Sequence, residues 1–101
     1  MYGLLERDLY YIIETIKKHP EIERVVIFGS RAMGNFKKGS DVDLALVGKN
    51  VDSKTVSRLK DNLNEECPLP YFFDILNYND IANKKLKEHI DNLGKIIYSK
   101  Q

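Results

Sequence analysis

Residues 25–48 read VVIFGSRAMGNFKKGSDVDLALVG, and the fold turns on what separates the two apolar runs. Val25 to Phe28 and Leu44 to Val47 are β-branched or aliphatic, and short enough to be buried strands. The first strand is predicted over Arg24 to Phe28 and the second over Asp41 to Val47. Between them lie a Gly-Ser pair, a polar loop and the triplet Asp41-Val42-Asp43. Side chains alternate along a strand, so Asp41 and Asp43 project to one face, with Cα atoms ~6.5–7 Å apart. Two ionised carboxylates that close repel, and they desolvate poorly beside Val42, Leu44 and Leu46. A hard cation relieves both problems, because Mg²⁺ takes oxygen ligands and tolerates one or two carboxylates plus substrate phosphates. Alone, an Asp-x-Asp at a strand's start is equally a solvated strand end with a turn-capping aspartate.

Upstream, Gly29 follows a strand and precedes a short helical turn, Ser30 to Met33, which Gly34-Asn35 breaks. Glycine lets backbone approach a ligand closely. Backbone N–H groups at such a turn suit an anion, and the Ser30 hydroxyl adds a donor. Neither the Walker A loop nor the dinucleotide fingerprint occurs. Downstream, Asp74 interrupts the apolar strand Tyr71 to Leu76, YFFDIL, where a charge is otherwise a liability. If that strand lies beside the Asp41–Asp43 strand, the three carboxylates can hold two metal ions ~3.5–4 Å apart, the spacing of two-metal phosphoryl and nucleotidyl transfer.

Helices flank these strands. Leu5, Leu9, Ile12, Ile13 and Ile16 recur at three- and four-residue steps and predict a helix over residues 2–18, closed by Pro20. A helix is predicted over Ser53 to Glu66 with Ser53 as its cap, another over Asp80 to Leu93 ending at Gly94, and a last strand over Lys95 to Ser99. The order predicts an α/β (α+β) domain, a small mixed sheet flanked by helices, over residues 1–101 as one unit. The 101 residues are 43% hydrophobic and 31% charged with net charge +1, which points away from an anionic membrane or direct nucleic-acid binding. No long uncharged run suggests a membrane span or signal peptide. The single cysteine, Cys67, fits a reducing, cytoplasmic setting and is assigned no chemistry. His19 and His89, in lysine-rich helical surroundings, read as surface residues. Tyr10 and Tyr11 fit either a partner interface or partial core burial.

The stretch Phe28-Gly29-Ser30-Arg31-Ala32, Gly34, and Gly39-Ser40-Asp41-Val42-Asp43-Leu44 resembles the signature of the minimal nucleotidyltransferases of the DNA polymerase beta superfamily. Asp74 matches that family's third carboxylate. The resemblance implies the polymerase beta-like fold and Mg²⁺-dependent attack of a hydroxyl on the α-phosphorus of a nucleoside triphosphate, with ATP as donor and pyrophosphate released. It implies that Gly29 and Ser30, with Arg31, bind the nucleotide. Asp41, Asp43 and Asp74 would be the catalytic carboxylates that coordinate two Mg²⁺ ions, with Asp74 also helping to deprotonate the acceptor. Where many relatives carry a basic residue stands Met33, so Arg31, Lys37 or Lys38 would have to supply the charge. Short members of the family resemble antitoxin partners of helical HEPN-domain ribonucleases, and some transfer AMP to a tyrosine of that partner. The acceptor site would then be small, shared with another copy, or brought by a partner chain. A second reading is an antitoxin that neutralises its partner by contact, with a slow or vestigial site. Transfer to a small hydroxylated molecule is a third.

Overall fold

The computed structural model describes residues 2–37, 39–66 and 69–100; Lys38 and Cys67 lie outside the described residues. In chain order the elements are α1 (Glu6–Ile16), β1 (Arg24–Phe28), α2 (Ser30–Met33), β2 (Val42–Val47), α3 (Ser53–Asp61), β3 (Phe73–Asn77), α4 (Lys84–Leu93) and β4 (Lys95–Ser99). A π-helical turn extends α3 over Asn62–Glu66, and a 3₁₀ turn, Tyr78–Asp80, precedes α4.

The four strands form one mixed sheet in the order β3-β2-β1-β4. β1 runs antiparallel to β2 and β4, while β2 and β3 are parallel. β1, β2 and β3 sort their residues by parity. Val25, Ile27, Val42, Leu44, Leu46, Phe73 and Ile75 pack on one face with Ile12 and Ile16 of α1 and Leu59 of α3. Val26, Phe28 and Ala45 pack on the other against Ile90 and Leu86 of α4. Each fully buried aliphatic of this kind contributes ~1.5–3 kcal/mol relative to exposure. α4 covers only part of its face, so Asp43 and Asp74, near the start of β2 and β3 on that face, are not fully buried.

Several boundaries differ from the sequence reading: β3 runs Phe73–Asn77 against the expected 71–76, β2 begins at Val42 and not Asp41, and α1 ends at Ile16 and not residue 18. α1 begins at Glu6, not at residue 2. α3 is capped by Asp52, whose side chain accepts the Thr55 N–H at 3.0 Å in a reciprocal capping box, so Ser53 is the first helical residue and not the cap. α4 is capped by Asn83, whose side chain accepts the Leu86 N–H, and the Asp80 start predicted for it belongs instead to the 3₁₀ turn. At α3 and α4 a second polar residue within three positions makes the better cap, whereas α1 begins behind Leu5 with no side-chain cap. No described helix is long and apolar enough to cross a membrane.

Candidate active site

The parallel register of β2 and β3 sets Asp43 directly beside Asp74, about 4.8 Å apart in the hydrogen-bonding direction. On the other side of β2, Asp43 pairs with Phe28 at the end of β1. Phe28, Asp43 and Asp74 therefore form one row across the sheet, on the face that α4 partly covers. Asp43 is half-buried and Asp74 exposed. Burial pushes the Asp43 carboxyl above the usual carboxylate range, and the negative charges of Asp74 and then Asp41 push it further in the same direction. His89 and Arg31 pull weakly the other way.

Asp41 stands apart from this pair. β2 begins at Val42, so Asp41 lies in the exposed approach to the strand, a two-residue step from Asp43. Among the described residues no three His, Cys, Asp or Glu side chains form a group that could hold a metal ion. The tight unit is the Asp43–Asp74 pair, with Asp41 coupled to it by charge.

Gly29 is built against the pair. Its backbone takes φ 75° and ψ −156°, a region that only glycine enters readily. A Cβ there would overlap Oδ2 of Asp43. The missing side chain thus lets the carboxylate lie on the backbone where β1 turns into α2. Gly34, with φ 83°, ends α2 in a left-handed cap, and Ser30, partly exposed, opens that helical turn. The Gly29 N–H donates to Nε2 of His89 at 3.0 Å, and the His89 ring lies edge-on to Phe28, centroids 6.2 Å apart.

His89 is a site residue that sequence reasoning missed. It is half-buried and seated on the glycine turn, not on an open surface. It comes from 60 residues away, on a helix whose lysines disguise its inward face, and nothing local in the sequence signals it. His19 is also corrected: it is 8% exposed, with Nε2 3.0 Å from the Asn62 side-chain amide.

Arg31, expected at the nucleotide, sits in the frame of the loop between α2 and β2. It is 3% exposed and turned away from the open face. Nε and Nη2 donate to the Ser40 carbonyl at 3.1 and 2.8 Å, and Nη1 donates to the Tyr2 carbonyl at 3.0 Å. The guanidinium carbon lies 5.3 Å from the Phe36 ring centroid and 5.2 Å from that of Tyr71. The Tyr71 hydroxyl donates to Asp8 at 2.8 Å. The planar five-donor fork of arginine suits this bidentate, ring-stacked role, and it leaves little guanidinium surface for a phosphate. Met33 is 51% exposed and offers no charge. An apolar cavity of about 470 Å³ lies beyond the other end of β3, lined in part by Val56, Leu76, Ile81 and Leu86; it shares no residue with the acidic row.

The family model for polymerase beta nucleotidyltransferases matches residues 11–101. No curated protein sequence matches the chain. Solved structures share the fold. The toxin–antitoxin MntA-HepT is 19% identical, the match covering 96% of this chain and 74% of that one, with TM-score 0.69. A toxin–antitoxin crystallised with AMP-PNP is 21% identical, covering 97% and 76%, with TM-score 0.72. A structure from Shewanella oneidensis is 16% identical, covering 96% and 75%, with TM-score 0.65.

Proposed function

The chain belongs to the polymerase beta nucleotidyltransferase family, and from that premise we propose that it transfers a nucleoside monophosphate, AMP from ATP, to a hydroxyl acceptor. The observation that carries the proposal is the Asp43–Asp74 pair set side by side in the parallel β2·β3 register, with the Gly29 backbone against Asp43. Hard oxygen donors in a pair, each raising the cost of the other's charge, suit Mg²⁺, which keeps several waters and binds through one or two carboxylates plus substrate phosphates. Asp43 and Asp74 would hold it, with Asp41 reaching in from the strand approach. When bound, the metal offsets charge on the attacking and leaving oxygens.

The protein's own groups do the rest. The Gly29-Ser30 turn binds the β- and γ-phosphates through the Ser30 hydroxyl and the backbone N–H groups that open α2, the Gly29 N–H being turned to His89. The acceptor oxygen attacks the α-phosphorus in line, its proton passes to Asp74, and the bond to the β-phosphate breaks to release pyrophosphate. The acceptor is a tyrosine of a helical HEPN-type toxin, and the chain acts as antitoxin. Support for that role comes from the fold shared with toxin–antitoxin structures, one of which was crystallised with AMP-PNP. The chain works inside the cytoplasm, as one catalytic domain.

Calorimetric titration with each nucleoside triphosphate in Mg²⁺, beside the Asp43→Asn variant, tests the site. The expected result is Mg²⁺-dependent binding that the variant loses, with transfer reduced by about 100-fold or more. Equal binding and transfer by the variant would falsify the catalytic assignment. If Asp43→Asn still neutralises the partner toxin, contact alone accounts for the antitoxin role.

A further inference from the structure

We propose that Phe72 is the platform on which the base of the bound nucleotide stacks. The inference rests on the nucleotidyltransfer reading above and adds a subsite to it. Phe72 is 79% exposed, more than any other large hydrophobic side chain among the described residues, while its neighbour Phe73 is 6% exposed. Its backbone is not loose: the Phe72 carbonyl accepts the Val42 N–H at 2.8 Å, which extends the β2·β3 pairing one residue beyond β3. The parallel register, Val42 with Phe73 and Asp43 with Asp74, places Phe72 beside Asp41. Alternation then puts Phe72 on the Asp74 face, one row, ~6.5–7 Å, beyond the Asp43–Asp74 pair.

The direction of the ligand follows from the chemistry. Phosphates held at Gly29-Ser30 and processed at Asp43 and Asp74 run across the strands, from β1 towards β3. Attacking and leaving oxygens lie roughly on that line, so the ribose leaves the α-phosphorus at a steep angle to it. Along the strands one way is closed, because Ile90 of α4 packs with Phe28 and Ala45 there. The other way opens at Asp41 and Phe72. One aromatic side chain is too little for a protein interface, which takes ~800 Å² per partner. It is enough for one nucleobase, and stacking tolerates any base because each has a π-face.

The chain contains no tryptophan, so Phe72→Trp installs a unique fluorescent reporter at an exposed position. Titration of this variant with Mg-ATP is expected to quench its emission. Mg-tripolyphosphate, which lacks a base, is expected to leave the emission unchanged and to reverse the ATP quench by competition. By calorimetry, Phe72→Ala is expected to bind Mg-ATP about tenfold more weakly than the unmodified chain, with its affinity for Mg-tripolyphosphate unchanged. If Phe72→Ala binds Mg-ATP as tightly as the parent, or loses both ligands equally, the stacking role is overturned and Phe72 faces the acceptor or solvent. If the parent chain binds neither ligand, the nucleotidyltransfer reading falls, and the subsite falls with it.

Discussion

The loop joining α2 to β2 is flanked by two polar clusters of opposite construction. On its inner side Arg31, 3% exposed, places its donors on the carbonyls of Ser40 and Tyr2 and its faces on Phe36 and Tyr71. Tyr71 in turn is held by Asp8. On its outer side Asp43 is half-buried beside Asp74, with the charge of Asp41 nearby and an opposite charge felt only weakly from His89 and Arg31. The inner cluster is satisfied and the outer one is frustrated. Buried polar groups that find partners fix a structure. Like charges set together and left to repel are tolerated where the chain has something else to hold. By this contrast, the carboxylate row is the place for the ligand in the function proposed above, and the arginine cluster is the frame beside it.

Substitutions at three positions break or sharpen the contrast. Gly29→Ala should have the largest effect, and on activity first. The new Cβ would displace the Asp43 carboxylate, and φ 75° strains any L-residue. Transfer should fall by about 100-fold or more, while stability falls by ~1–3 kcal/mol. A fully active Gly29→Ala protein in a steady-state assay would remove Gly29 from the site.

Arg31→Met should act in the opposite proportion. It strands the Ser40 and Tyr2 carbonyls and removes charge-assisted hydrogen bonds, so a loss of ~2–4 kcal/mol is expected. Thermal unfolding should then show a Tm lower by about 8 °C or more. Arg31→Lys should recover only part of the loss, since an ammonium cannot fork onto one carbonyl and stack between two rings. A Tm within ~2 °C of the parent would mean that the cluster does not carry the loop.

The smallest effect has the reverse sign. The Asp43 carboxyl titrates higher in the folded chain than in the unfolded one, where its value is near 3.8. The folded state therefore holds the proton more tightly. Between 3.8 and the raised folded value, the Asp43 contribution makes stability fall as pH rises. Above that window the charged carboxylate is a standing cost, which Asp43→Asn removes. At pH 7 the variant should unfold at a slightly higher temperature than the parent, and the difference should shrink as pH is lowered through the window. A variant that melts lower at pH 7 would show that Asp43 is satisfied in the free protein and that the row is not frustrated.

Much of this arrangement was legible in residues 24–47. The apolar runs gave β1 and β2 to within one residue, because short β-branched segments bounded by glycine and polar residues have few other stable states. The positions of Gly29 and Asp43 at strand ends followed from the same pattern, whereas Asp74, read as interrupting a strand over 71–76, is the second residue of β3. The caps of α3 and α4 were misplaced because Asp52 and Asn83 compete with nearby polar residues, and only backbone geometry chooses between them.

What the sequence by itself determined was the period of the segments: that residues 24–28 and 42–47 lie in strands, which face each takes, and hence that Asp43 turns away from Leu44 and Leu46. It could not determine which strands are neighbours. The parallel register that sets Asp74 beside Asp43, the seat of His89 on a glycine 60 residues away, and the inward turn of Arg31 are long-range choices. They are made by the packing of α1, α3 and α4 on the sheet as a whole. The physical reason is that local periodicity records which side of a segment is apolar, whereas a charged side chain at the margin of the core can face solvent or pair inside at similar local cost. Arg31 pairs inside because folding brings two carbonyls and two aromatic rings to it, and Asp43 remains unpaired because folding brings it another carboxylate.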